Sequence, residues 1–323
     1  MIRVYRRGGA ACEAIETAAE AFALDPDILW IDLVTPSREE EAAIEAALGG
    51  LPLPTREEMA ELEASSRLYR EGGASFLTAD LIHNGDAEIP AIDPVTFVLT
   101  AGPLVTIRYF DPRPFAMMDG ILDRDPHLCT TAPMLFLHLM EAVIDRASDV
   151  LSRTVTHVEA IAEHVFSARE QKTVGFERLI TKLGRARMAN ARIEQSLAGL
   201  TRVFAFVGLD DRIEKDHDAA EHLRSLARDA RSLTDHNHAV AASIDFQLNA
   251  ALGLINIQQS SIIKIFSVAA VAFMPPTLIA SIYGMNFDHM PELPQVWGYP
   301  AALIAMVVAA LLPLAFFKRK GWL

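Results

Sequence analysis

The sequence predicts an α+β membrane protein: a cytoplasmic α/β layered N-terminal domain, a long helical stalk and two C-terminal transmembrane helices. Three observations carry this prediction. Two uncharged apolar segments stand near the C-terminus, Ile265 to Ile282 (18 residues) and Tyr299 to Phe317 (19 residues). Short strand-like runs bounded by Gly, Pro and Asp are confined to the first 130 or so residues. From Thr131 onward apolar residues recur at helical spacing, and no proline interrupts the chain between Asp216 and Pro275.

In chain order, residues 1–130 form the cytoplasmic α/β domain. Leu29–Val34, Ser75–Ile82, Val95–Thr100 and Leu104–Arg108 are rich in β-branched and aromatic residues and read as strands. Between the first two, Ser37 to Leu48 reads as a helix, opened by Pro36 and Ser37 with Glu39 to Glu41 in its first turn. Strands and helices interleaved in this way predict a layered α/β domain. Gly102-Pro103 lies in a break that reads as a hairpin turn. Residues 131–215 form a helical region. One helix runs from Thr131 and Pro133 to about Ala168, with Leu135, Leu139, Val143, Ala147, Val150 and Leu151 on one face, and a second runs from Phe176 to Phe206. The stalk helix follows over 216–283, with its span at about 262–283. Leu223, Leu226, Ala230, Leu233, Asn237, Val240, Ile244, Gln247, Ala251, Leu254 and Gln258 alternate spacings of three and four, the seam of a coiled coil. As one helix this stretch is roughly 100 Å long, and its polar seam positions suit a ring of helices better than a two-stranded coil. An external loop over 284–298, a second span over 299–317 and a basic tail over 318–323 complete the chain.

The apolar pair spans about 27–28 Å per helix, enough for a hydrocarbon core of roughly 30 Å. Lys264 precedes the first segment and Lys318, Arg319 and Lys320 follow the second, whereas the loop between them holds Asp288 and Glu292 and no Lys or Arg. By the positive-inside rule both termini are cytoplasmic and the acidic loop faces outward. Four basic and two acidic residues from Gln259 onward leave −15 of the net −13 on the first 258 residues. That acidity argues against nucleic acid or anionic headgroups as partners of the soluble part; it is compatible with holding cations and equally with a solvated surface. Met1 to Ala10 holds arginines with no apolar run after them, so no secretory signal is expected. Cys12 and Cys129 both fall on the cytoplasmic side, where a structural disulfide is not expected.

Motifs for other chemistries are few. No phosphate-binding G-x-x-x-x-G-K-[ST] loop is present, so nothing points to ATP-driven pumping or to an enzyme. The pairs Gly8-Gly9, Gly49-Gly50 and Gly72-Gly73 read as turns. His217, His222, His236 and His238 lie on the stalk without cysteine support, and no two share a face one turn apart, so they read as surface or interface histidines.

Gly284-Met285-Asn286 closes the first span. On the residues alone two readings stand: a Gly/Asn helix terminator, or a ring of Asn286 carbonyls, one per subunit, holding a hydrated cation. Mg²⁺ releases its water reluctantly, and an amide oxygen can accept from that water without stripping it. Counting back, Thr277, Met274, Ala270, Ser267, Ile263 and Ser260 recur every three or four residues. Small and polar side chains on that stripe make it a candidate pore face, with packing or lipid contact as the alternative for the apolar members. Pro275-Pro276 frees backbone carbonyls within the span, which pore water or neighbouring helices would have to satisfy. Asp288 and Glu292 would concentrate cations outside the ring. Lys318, Arg319 and Lys320 anchor the topology and offer a basic collar at the inner mouth.

The chain also resembles the CorA-type magnesium/cobalt transporter family. The resemblance rests on Tyr283-Gly284-Met285-Asn286-Phe287, Met290-Pro291-Glu292-Leu293, Gly298-Tyr299-Pro300 and the ending Phe317-Lys318-Arg319-Lys320-Gly321-Trp322-Leu323. Upstream it includes Ile255-Asn256-Ile257, Ile262-Ile263-Lys264-Ile265-Phe266, Phe273-Met274-Pro275-Pro276-Thr277 and Trp30-Ile31-Asp32-Leu33-Val34. Trp297 departs from it, standing two residues later than the family's loop tryptophan. The resemblance implies a homopentamer in the inner membrane that admits Mg²⁺, with Co²⁺ and Ni²⁺ as further cargo, driven by the membrane potential and needing no organic cofactor. It implies the ion ring for Asn286 and pore positions for Thr277, Met274 and Ile263, and it adds Phe266 as a constriction. It further implies regulatory Mg²⁺ between cytoplasmic domains, for which Glu221, Asp229 and Asp235 on the stalk are the candidates. A zinc-transporting relative and a membrane-anchored ligand sensor are the alternatives. The topology is tested directly: a cysteine at Gln295, in a variant lacking Cys12 and Cys129, should react with an impermeant thiol reagent added to intact cells. Labelling only after lysis would refute the orientation.

Overall fold

The computed structural model describes residues 1–7, 13–15, 24–61, 63–125, 128–166, 175–285, 290–291 and 294–321. Two compact units divide it, Met1–Leu248 and Asn249–Leu323.

The first unit opens with β1 (Ile2–Arg6), β2 (Glu13–Ile15) and β3 (Ile28–Val34), followed by α1 (Arg38–Ala47), α2 (Arg56–Met59) and α3 (Ala64–Arg67). Then come β4 (Leu68–Glu71), β5 (Ala74–His83), β6 (Ala91–Leu99), β7 (Leu104–Arg108), α4 (Arg113–Arg124), α5 (Ala132–Phe166), α6 (Phe176–Val207) and α7 (Asp211–Glu214). Helix α8 runs from His217 to Tyr283, through both units, and α9 covers Gly298–Arg319. The predicted first helix is α1: the Ser37 side chain accepts from the Glu40 amide, and Glu40 returns a bond to the Ser37 amide, a capping box. Asp216, read as the first residue of the stalk, instead caps it, its carboxylate accepting from the amides of Asp218 and Ala219.

Seven strands form one sheet in the order β2-β1-β3-β7-β6-β5-β4. Three strands were not expected from the sequence: β1, β2 and β4. β4 pairs with β5 across Gly72-Gly73, and both glycines have positive φ (57° and 78°), the backbone that a two-residue hairpin loop demands. β6 begins at Ala91, earlier than the expected Val95. Pairing with β7 stops at Val95, so Ala91 to Pro94 is bordered by β5 alone, and the missing Pro94 amide costs no bond on the β7 side.

Alternation sorts the strands' side chains onto two faces. Ile31, Leu33, Phe76, Val98, Val105 and Ile107 join Ile44 of α1, Leu53 and Met59 in one core. Trp30, Leu77, Val95, Phe97 and Leu104 join Phe115 and Met118 of α4, Phe136 and Met140 of α5, Val203 and Phe204 of α6 and Leu223 and Leu226 of α8 in the other. The stalk seam is therefore spent inside the chain: Leu223, Leu226, Ala230, Asn237, Val240, Ile244 and Gln247 are buried. Asn237 contributes its carbonyl to Asn190 Nδ2 of α6 at 3.3 Å. The apolar seam that reads as a coiled coil is a tertiary packing face.

Only β3 and β7 run parallel, and their contact joins the antiparallel groups β2-β1-β3 and β7-β6-β5-β4. A buried polar network sits on that junction. Arg108 Nη2 donates to Asp32 Oδ2 at 2.8 Å, Thr106 Oγ1 donates to Asp32 Oδ1 at 2.7 Å, and Trp30 Nε1 donates to Thr106 Oγ1 at 2.9 Å. The guanidinium also bonds Phe110 O and Asp111 and lies 4.7 Å from the Phe115 ring centroid. Replacing Asp32 by Ala would strand the Arg108 charge in the core, which costs about 3–5 kcal/mol. Thermal unfolding of the purified protein in detergent should show Asp32→Ala melting well below wild type; an unchanged melting temperature would contradict this account.

Candidate functional site

Within Asn249–Leu323, α8 and α9 are each long and apolar enough to cross a membrane. No residue of α9 is buried. Over the α8 span only Val268 and Ala272 are buried, four residues apart and so on one face. At about 100° per residue, that face points roughly 150° away from the Ser260–Ile263–Ser267–Ala270–Met274–Thr277 stripe. Ser260, Ile263, Met274 and Thr277 are all exposed in the single chain. Phe266, also exposed, stands at the stripe's edge, about 60° from Ile263 and 80° from Met274.

Pro275 and Pro276 lie inside α8. Without N–H groups they leave the carbonyls of Val271 and Ala272, four residues back, without intrahelical donors. Thr277 Oγ1 donates to Phe273 O at 2.8 Å, so its lone pairs remain open to an outside donor such as water. A freed carbonyl pair, an acceptor hydroxyl and apolar Met274 and Ile263 are thus set within about four turns.

At the mouth, Gly284 prolongs the helical bonding past Tyr283, its amide donating to Ala280 O at 2.9 Å. A Cβ here would stand 3.2 Å from that same carbonyl, so glycine is favoured by close approach, not by a left-handed φ. Met285 is exposed. Asn286, Asp288 and Glu292 lie outside the described residues, as does Cys12. Cys129 is free and buried, and burial, reinforced by Asp125, pushes its thiol up to about 12. Lys318, Arg319 and Lys320 are exposed at the end of α9, with Lys320 Nζ 5.4 Å from the Phe316 ring centroid.

The three stalk carboxylates are not brought together within one chain. Glu221 is exposed beside His217 at 4.0 Å, and Asp229 and Asp235 are exposed further along α8. Asp229 does meet acidic neighbours on α5: burial, then repulsion from Glu141, Asp149 and Asp229, raises the Asp145 carboxyl above its ordinary range. Sequence spacing within the stalk could not show this, because the crowding is between two helices.

The model of the CorA-like Mg²⁺ transporter protein family matches residues 25–319. This chain belongs to that family. The magnesium transport protein CorA of Haemophilus ducreyi is 33% identical over 297 residues, covering 92% of each chain. That of Salmonella typhimurium is 31% identical over 297 residues with the same coverage. In architecture the chain is similar to the complete CorA magnesium transporter structure from Methanocaldococcus jannaschii, with a TM-score of 0.79 at 17% identity, covering 100% of this chain and 99% of that one. Full-length CmaX aligns with a TM-score of 0.73 at 16% identity over 99% of this chain and 97% of its own. The family match takes in Trp30–Val34, the proline pair of α8, Gly284-Met285-Asn286 and the basic end of α9 through Arg319. The fold class expected from the sequence is the fold found.

Proposed function

We propose that this chain is a channel-like Mg²⁺ transporter, a homopentamer in the inner membrane with both termini cytoplasmic, that admits hydrated Mg²⁺ and also Co²⁺ and Ni²⁺. The observation that carries the reading is the family match over 25–319, which includes the Gly284-Met285-Asn286 end of α8. The uncovered stripe below it supports the reading, since a face with Ser260, Ser267 and Thr277 gains from neighbouring copies and pore water.

In this reading each subunit contributes one Asn286 amide to a ring that accepts hydrogen bonds from the ion's hydration shell. Gly284 allows the turn to pass close to Ala280 O, and Asp288 and Glu292 raise the local cation concentration outside. Below the ring, Thr277 offers an acceptor to water, while Met274, Phe266 and Ile263 form an apolar collar that closes by dewetting. Lys318, Arg319 and Lys320 hold the cytoplasmic end. A divalent ion falling through 100 mV gains about 4.6 kcal/mol, enough for uptake without ATP.

Asn286→Ala should lower Mg²⁺ flux into liposomes at least about tenfold, because every subunit loses a hydrogen bond worth about 1 kcal/mol and each 1.4 kcal/mol is a factor of ten. An exchange-inert hexaammine complex of hydrated-Mg²⁺ size should block wild type from outside. Undiminished flux in Asn286→Ala would refute the ring, and absence of any ion flux in wild type would leave the sensor alternative. Competition between Mg²⁺ and Zn²⁺ separates the zinc-transporting alternative.

Uptake this favourable needs feedback. We propose that internal Mg²⁺ bound between acidic cytoplasmic surfaces holds the collar closed, with Glu221, Asp229 and Asp235 among its ligands. Moving a two-state ring from 99:1 to 1:99 takes about 5.5 kcal/mol, a demand met by several sites acting together. Neutralising the three carboxylates should shift the internal Mg²⁺ concentration that half-closes the pore, with external hexaammine block unchanged. An unmoved half-closing concentration would remove these residues from the sensor.

A further inference from the structure

Helices α5 and α8 bring together three metal-ligating side chains that the transport reading does not use. His138 and Glu141 stand three residues apart on α5 and share a face; His138 Nδ1 lies 3.1 Å from Glu141 Oε2. His222, in the second turn of α8, places Nε2 3.4 Å from the same oxygen. The two imidazoles meet edge to face with centroids 4.9 Å apart. One ligand atom from each residue lies within 4.8 Å of the other two, and among the described residues no other such group of His, Cys, Asp and Glu occurs.

Two of the three ligand separations are near what a tetrahedral ion requires, and the third lies within 4.8 Å. With zinc bonds of about 2.0–2.1 Å to nitrogen and 2.0–2.2 Å to oxygen, neighbouring ligand atoms are separated by roughly 3.3–3.5 Å. The two nitrogen–oxygen distances fall within a few tenths of that. His138 and His222 are about one-fifth exposed, at 20% and 19%, while Glu141 is half exposed at 50%, so the cluster is held on a packed base with one side open. Leu135, Leu139, Ala219 and Leu223 in the common core provide that base. Asp145 lies close enough to Glu141 to add negative potential.

The donor set selects the ion. Mg²⁺ takes oxygen ligands in an octahedron and keeps its waters, whereas two imidazole nitrogens and one carboxylate suit Zn²⁺, Co²⁺ or Ni²⁺. We propose that His138, Glu141 and His222 form an intrachain site for a borderline divalent transition cation, Zn²⁺ foremost, that clamps α5 to the first turns of α8. A water completes the fourth position on the open side. The site shares no ligand with the conduction path or with the carboxylates assigned to Mg²⁺ sensing.

The test uses the full-length protein, purified in detergent and stripped of metal, titrated with Zn²⁺ against a chromophoric chelator. Wild type should bind one Zn²⁺ per chain that His138→Gln and His222→Gln each weaken by roughly a hundredfold or more, since loss of even an outer-shell partner costs 10–100-fold. The double variant His236→Gln/His238→Gln should keep the site, and millimolar Mg²⁺ should not displace Zn²⁺ from it. Co²⁺ loaded in its place should give visible absorption bands that His222→Gln abolishes. Thermal unfolding without metal checks that the near-isosteric variants are folded, and only wild type should be stabilised by Zn²⁺. Equal Zn²⁺ affinity in wild type and both histidine variants, or displacement by Mg²⁺, would overturn the proposal and leave Glu141 as a hydrogen-bond acceptor bridging two histidines.

Discussion

Hydrocarbon offers a backbone amide no hydrogen-bond partner, and that single constraint shapes the C-terminal unit. It requires the apolar segments to be helices, which they are, in the last part of α8 and in α9. It also makes Pro275-Pro276 conspicuous, since two carbonyls lose their donors where lipid cannot replace them. The proline pair lies between Met274 and Thr277, in the span of α8, where only Val268 and Ala272 are buried. The freed carbonyls of Val271 and Ala272 belong beside water or a neighbouring helix, so the same constraint that builds the span argues that α8 is not surrounded by lipid at this level.

The N-terminal unit answers a different constraint. Water is available at its surface, and its order comes from two apolar cores on opposite faces of one sheet. The sheet's two antiparallel groups meet at the single parallel contact of β3 and β7, where Asp32 and Arg108 are both fully buried. A charge pair in such a place is tolerated because both carboxylate oxygens and all three guanidinium nitrogens are hydrogen-bonded, to each other and to Thr106, Phe110 and Asp111. Helices α5, α6 and the first part of α8 then cover the face that carries Trp30 and Phe97.

The cation sites proposed for this chain differ in donor type. The mouth motif offers neutral amide oxygen, suited to an ion that keeps its water. The stalk offers exposed carboxylates, suited to loosely held hard cations. Where α5 meets α8, imidazole nitrogens join one carboxylate, a set suited to softer ions. The acidic first 258 residues therefore need not have one cation partner.

What the sequence determined by itself was whatever depends on local composition and period. The two spans, the start of α1 at Ser37, the four strands β3, β5, β6 and β7, and the long uninterrupted α8 were all legible. So was α4 in principle, since Phe115, Met118 and Leu122 follow helical spacing, although Pro114 and Gly120 obscured it. β1 and β4 were not legible, because short strands of ordinary composition exist only by pairing, with β3 and β5 respectively. Tertiary structure alone decided the fate of the stalk seam: a 3–4 spacing specifies an apolar face without naming what covers it, and within the first unit the chain's own helices bury it from Leu223 to Gln247. It alone assembled His138, Glu141 and His222, since ligand spacing along one helix carries no information about a nitrogen supplied by another. Sequence periodicity records which face of an element is apolar; only packing determines which faces meet.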